Sequence, residues 1–221
     1  MLPMVVDLRG RSVMVIGAGA VGAHKAAQLV EAGACVTIIT SEVLANLNSD
    51  VAAVLLRPYQ SGDLTGSFLV VAATGDALVN DQIVAEARER NILLNVVDDQ
   101  ERSNFFFTAV HRAGDVMVSI STSGASPALA QWLRNALAQA LPKNIALVAT
   151  QLRAERRAVH ARGASTEQFD WTARVLHFID AALEDPDQFV PRARPAPFAS
   201  ARAPERSPRV RPREPLAGGE D

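Results

Sequence analysis

The chain alternates short, continuously apolar runs with longer amphipathic stretches. Residues 12–16 (SVMVI), 35–40 (CVTIIT), 68–73 (FLVVAA) and 93–97 (LLNVV) are mostly aliphatic or β-branched. That is the pattern of strands buried on both faces. Residues 51–56 form a weaker strand candidate, ended by Arg57 and Pro58. Residues 21–32 and 78–90 have helical composition, and Gly33 suits the stop after the first of them. This βαβ rhythm predicts an α/β fold with a doubly wound parallel sheet and right-handed crossovers.

The rhythm changes after residue 104. Residues 105–111 and 116–121 read as two strands around a turn at 112–115. Ser126 then suits a helix N-cap, with Pro127 at the first helical position. That helix should run to about Leu141, before Pro142, and two more are expected over 144–160 and 166–184. A domain boundary is therefore expected near residue 112, with a smaller α/β and helical part behind it.

Composition narrows the picture. The 221 residues are 48 % hydrophobic and 21 % charged, enough to bury a sizeable core. With 22 basic and 24 acidic residues the net charge is −2, which disfavours a protein built to coat nucleic acid. A single cysteine, Cys35, excludes an internal disulfide and fits a reducing cytoplasm. The opening MLPMVVDLRGR has no apolar signal-peptide core, and no apolar run reaches the length of a membrane span. Residues 191–221 hold seven of the twelve prolines and seven arginines against four acids, the composition of a disordered tail. No aromatic platform is interleaved there, so a solvated tail is favoured over a nucleic-acid- or membrane-binding arm.

Two motifs carry chemistry. Gly17, Gly19 and Gly22 form G-x-G-x-x-G between the first strand and the first helix. The first glycine permits a tight turn, the second lets a pyrophosphate approach the backbone, and the third allows close helix–strand packing. The free N–H groups at the helix start then face the anion. A tight turn without a ligand is the alternative, and the flanking strand and helix favour dinucleotide binding. The acid that would hold the ribose hydroxyls lies one step beyond the second strand, at Glu42, with no arginine following to meet a 2′-phosphate. NAD is thus favoured over NADP, although Glu42 fits equally as a first-turn helix acid. The second motif is Asn95-Val96-Val97-Asp98-Asp99, which sets Asp98 at the carboxyl end of a strand. Asp98 is there a general base or metal contact, or simply a turn former. The four histidines show no ligand spacing and there is no cysteine pair, so no resident metal is expected.

In this order and spacing the motifs are specific. Leu2-Pro3 with Asp7–Gly10, VIGAGAVGAHK at 15–25, EAGACVT at 31–37, VAATG at 71–75 with Asn80, NVVD at 95–98, and STSGASP at 121–127 followed by Leu129-Ala130 are the matching stretches. Over these the chain resembles the precorrin-2 dehydrogenase/sirohydrochlorin ferrochelatase family, the dehydrogenase/chelatase module of siroheme synthase. The resemblance runs to about residue 185 and does not include a methyltransferase module. It implies an NAD-binding Rossmann-like domain over 1–112, a small α/β dimerisation region over 113–143, a C-terminal helical domain over 144–190, and the tail beyond. It implies a homodimer that oxidises precorrin-2 to sirohydrochlorin with NAD. In bifunctional members Fe2+ then enters as a substrate.

By position, the resemblance assigns Gly17, Gly19, Ala20, Val21 and Gly22 to the dinucleotide loop, Ser41 and Glu42 to the adenosine side, and Ala73 and Thr74 to the strand end beside the cofactor. Asp98 becomes the catalytic aspartate, with Asn95 as its neighbour and Ser126 at the tetrapyrrole pocket. A substrate rich in carboxylates calls for cations, and Arg102, His111, Arg112 and Arg134 are the candidates. Three functions remain open: a dehydrogenase that also inserts Fe2+, a dehydrogenase alone, and a non-catalytic sensor of NAD or tetrapyrrole.

Overall fold

The computed structural model describes residues 1–43 and 46–184. The segment 191–221, expected to be a disordered tail, lies outside them. The described chain forms two compact units: Met1–Thr108 with Ser121–Pro127, and Ala109–Ile120 with the residues from Ala128 on.

The first unit is an open parallel sheet. Its strands are β1 (Ser12–Ala18), β2 (Cys35–Val43), β3 (Ala53–Leu56), β4 (Leu69–Ala72) and β5 (Leu93–Val96), with helix α1 (Ala20–Glu31) after β1 and α2 (Ala77–Glu89) after β4. They lie in the order β3-β2-β1-β4-β5, and every pairing is parallel. The alternation of side chains explains the continuously apolar strands. Val13, Val15, Leu69 and Val71 pack with Leu29 of α1, whereas Ile16, Val70 and Ala72 pack with Ile83, Val84 and Ala87 of α2. The central strands β1 and β4 therefore bury both of their faces, whereas edge strand β3 leaves Val54, Leu55 and Leu56 exposed.

The first two strands run longer than their apolar cores. β1 continues through Gly17 to Ala18, and after a register shift Ala18 pairs with Val43 at the end of β2. Glu42 consequently lies in a strand, not in the first turn of a helix. Residues 105–107, expected as part of a strand, are also outside one. The Asn104 and Phe105 N–H groups instead donate to the Leu94 carbonyl, at 2.9 and 3.4 Å, and Asn104 Oδ1 accepts from Leu94 N at 2.7 Å. Ser103 Oγ accepts from Val96 N at 2.9 Å. The free edge of β5 is thus covered by side chains and a loop, which protects it from pairing with another chain.

The second unit contains an antiparallel hairpin, β6 (Ala109–Ala113) and β7 (Val116–Ile120), joined by Gly114 and Asp115. Gly114 has φ +57°, which a two-residue hairpin turn demands. Helices α3 (Pro127–Ala140), α4 (Ile145–Ala161) and α5 (Trp171–Glu184) follow. Val148 and Phe178 join α4 to α5, with Ile145, Leu152 and Ile179 around them. Arg174 adds a hydrogen-bonded ion pair to Glu155 and lies over the Phe178 ring. Among the described residues no helix is long and apolar enough to cross a membrane.

Candidate functional site

In the first unit the chain reverses its strand order between β1 and β4, where doubly wound sheets open a ligand crevice at their carboxyl ends. The loop leaving β1 lies there. Gly17 has φ +101°, and a Cβ on it would stand 2.5 Å from the Ala73 carbonyl oxygen. A Cβ on Gly22 would stand 2.1 Å from the Gly17 carbonyl oxygen and 3.3 Å from Ala73 Cβ. These two positions allow no side chain. A Cβ on Gly19, by contrast, would meet nothing within 4 Å. Gly19 N-caps α1 without a side-chain bond, the first turn of α1 holds no acid, and the first intrahelical donor is Ala23 N. The N–H groups of Ala20, Val21 and Gly22 therefore lack carbonyl partners within the helix. A collapsed turn with one open glycine beside unpaired N–H groups fits the pyrophosphate of a dinucleotide.

The neighbouring strand ends are laced to this loop. Ala73 N donates to Ile16 O at 2.7 Å, and Val97 N donates to Ala72 O at 2.9 Å. Gly17, Ala73 and the turn at Val97-Asp98 thus succeed one another across the ends of β1, β4 and β5. Thr74 is half-buried. On the other side of β1, Ser41 and Glu42 are exposed near the end of β2, and Thr40 Oγ1 donates to the Glu42 carbonyl at 2.6 Å.

Asp98 occupies the left-handed region with φ +60°, uncommon for a residue other than glycine. Its side chain is exposed and has no hydrogen-bond or ion-pair partner among the described residues. Asp99 is different. Its carboxylate accepts from Arg102 Nε at 2.5 Å and from Arg102 N at 3.0 Å. Those bonds hold the Asp99 carboxyl below the usual aspartate range. Arg102 Nη1 also reaches Asp81 at 2.6 Å, so this candidate substrate cation is already shared between two carboxylates. Asn95 Nδ2 donates to the Phe105 carbonyl at 3.1 Å, tying β5 to the segment that follows.

The loop 121–127 belongs to the first unit although its flanks do not. Ser123 and Gly124 have φ +50° and +81°. A Cβ on Gly124 would stand 1.6 Å from Gln100 Nε2, so the Gln100 amide rests on the glycine and seats the loop two residues from Asp98. Thr122 Oγ1 brackets Ser126, donating to its carbonyl at 3.1 Å and accepting from its N–H at 3.2 Å.

The other cation candidates lie in the second unit. His111 and Arg112 are adjacent in β6, the first half-buried and the second exposed. Arg112 reaches Met117 Sδ at 3.1 Å, and Arg134 of α3 donates to Asn135 Oδ1 at 2.8 Å. Neither arginine has a carboxylate partner among the described residues.

Three participants have no role in the sequence reading. Gln100 has no motif of its own. Lys25 of α1 is half-buried with Nζ 3.9 Å from the centroid of the Phe107 ring, and burial lowers its pKa. Asn80, a buried amide on the core face of α2, stands in one of the matching stretches, but no role attaches to it there. Among the described residues no three His, Cys, Asp or Glu side chains group as a metal site.

Comparison with known proteins places this arrangement. Residues 4–109 match a family model described as putative NAD(P)-binding, and 114–140 match one described as the central part of a sirohaem biosynthesis protein. Siroheme synthase of Photorhabdus laumondii subsp. laumondii is 40 % identical over 152 residues, 67 % of this chain and 32 % of that protein. The chain is a homologue of part of siroheme synthase. Siroheme synthase of Zymomonas mobilis subsp. mobilis is 36 % identical over 153 residues, again 67 % of this chain and 32 % of the relative. The chain thus spans about a third of the length of these siroheme synthases. The solved structure of "SirC, precorrin-2 dehydrogenase" superposes with a TM-score of 0.62 at 24 % identity, covering 85 % of this chain and 90 % of that one. The architecture is therefore the Rossmann-like fold that SirC also has.

Proposed function

We propose that this chain is an NAD-dependent precorrin-2 dehydrogenase of siroheme biosynthesis, and that Fe2+ insertion into sirohydrochlorin follows at the same site. The observation that carries this reading is Asp98, an unpaired carboxylate held on a turn that is hydrogen-bonded to the strand end facing the glycine loop. Bound NAD would supply the hydride acceptor. Gly17 and Gly22 bring the backbone close, Gly19 leaves the approach open, and the N–H groups of Ala20, Val21 and Gly22 take the pyrophosphate. Ser41 and Glu42 serve the adenosine side, and Ala73 and Thr74 line the strand end beside the cofactor. An acid there without a following arginine favours NAD over NADP.

Oxidation removes a hydride and a proton from the tetrapyrrole. Asp98 takes the proton, and its exposure lets it pass that proton to water. The same carboxylate would collect pyrrole protons when Fe2+ enters. Asn95 and Ser126 serve the substrate in the first unit, and Arg102 mainly holds Asp99 and Asp81. The working form is a homodimer in the cytoplasm. Leu129, Trp132 and Leu137 of α3 are 47 %, 65 % and 44 % exposed, and burying them would favour association.

An anaerobic assay with precorrin-2 and NAD, followed by Fe2+ in the same cuvette, tests the proposal. Reduced nicotinamide with sirohydrochlorin, then protein-accelerated metallation, is the expected course. Oxidation without accelerated metallation makes the chain a dehydrogenase alone. No oxidation with NAD or NADP contradicts the enzyme reading and favours a sensor.

A further inference from the structure

Asn80 lies in the first turns of α2, four residues after the N-cap Asp76. It is 8 % exposed, on a helix face otherwise filled by Ile83, Val84 and Ala87. Its Nδ2 donates to the Thr74 carbonyl at 3.1 Å, and its buried Oδ1 has no donor among the described residues. A buried amide with incomplete partners is a cost that an aliphatic residue would avoid. The bond to Thr74 is what the amide provides. The same helix start holds the Thr74 hydroxyl, because Asp76 N donates to Thr74 Oγ1 at 3.1 Å. From the opposite side, the Ala73 carbonyl is pressed against Gly17, and Ala73 N is bound to Ile16 O. The 73–75 segment is therefore clamped between the start of α2 and the glycine loop.

We propose that Asn80 is a positioning residue of the cofactor crevice, setting through the Thr74 carbonyl the height of the 73–75 segment against the Gly17–Gly22 loop. It thereby fixes the depth at which the dinucleotide seats. The inference rests on reading this crevice as the dinucleotide site. It adds a residue that touches neither cofactor nor substrate.

The test compares the wild-type chain with Asn80→Ala, Asn80→Asp and, as a stability control from the same helix, Glu86→Gln. NAD affinity is read by calorimetric titration, and thermal midpoint and steady-state constants are read alongside. Losing one well-placed bond should raise the Kd and KM for NAD about tenfold in Asn80→Ala. Asn80→Asp keeps the volume but turns a carboxylate toward the Thr74 carbonyl, and should weaken NAD at least as much. The tetrapyrrole KM should not move. Glu86→Gln should lower the thermal midpoint and leave NAD affinity unchanged. Wild-type affinity in Asn80→Asp, or a loss in Glu86→Gln equal to that in the Asn80 variants, would overturn the inference. A wild-type chain that binds no NAD would overturn the dinucleotide reading beneath it.

Discussion

Asp98 and Asp99 are neighbours in sequence, yet Arg102 and the Ser103 hydroxyl hold Asp99 while Asp98, with φ +60°, has no side-chain partner among the described residues. A sequence can show that two acids follow a strand; it does not show which one the next turn will neutralise. The arginine three residues on has the charge of a substrate contact, and in the fold it is engaged by Asp99 and Asp81. The glycines were more legible, because their spacing encodes a steric demand. Gly22 is the sharper case. Adding one methyl brings it to 2.1 Å from a backbone oxygen, so the backbone must move. Gly22→Ala is expected to cost about 1–3 kcal/mol, as overpacking does, and to raise the Kd for NAD at least tenfold. Chemical denaturation and NAD titration check the two effects.

Among the elements, the loop after β3 and helix α2 are joined by a buried network that no motif announced. Glu86 accepts from the Tyr59 hydroxyl, from Gly62 N at 2.9 Å, from Leu64 N at 3.2 Å and from Arg90 Nε at 2.9 Å. Burial alone would raise the Glu86 carboxyl, but these bonds outweigh it and hold it below its ordinary value of 4.5. Its ionised form thus stabilises the fold at neutral pH. That contribution is complete above about pH 4.5 and fades as the pH falls through the lower folded value. Glu86→Ala strands two buried donors, the Tyr59 hydroxyl and Leu64 N, and is expected to cost about 3 kcal/mol at pH 7. In denaturation series, the gap between wild type and variant should narrow below pH 4.5. Periodicity located β1, β2, β4 and β5 because each buries both faces. It misread 105–107, where Phe105 and Phe107 are apolar for another reason: both pack onto the sheet's core from a loop. Side-chain bonds from Ser103 and Asn104 decide that conformation, and such bonds leave no period in the sequence.

For the whole molecule, the strand order β3-β2-β1-β4-β5 sets the glycine loop, the Ala73-Thr74 segment and the Asp98 turn along one edge of one sheet. This arrangement followed from the βαβ rhythm, whereas the return of 121–127 to the first unit did not, since it depends on Gln100 resting against Gly124. Self-association belongs to this scale. If the proposed homodimer packs through α3, Trp132→Glu should shift it toward monomer in analytical ultracentrifugation while leaving NAD affinity unchanged. An unaltered sedimentation profile would remove α3 from the interface.

The central claim is that Asp98 takes the proton while the glycine loop holds the cofactor. Asp98→Ala, saturated with NAD and mixed anaerobically with precorrin-2 in a single turnover, separates the two roles. The expected result is NAD affinity like that of the wild type with oxidation slowed about 10²–10⁴-fold, the range for losing a general base. Oxidation within a few-fold of the wild-type rate would contradict the account.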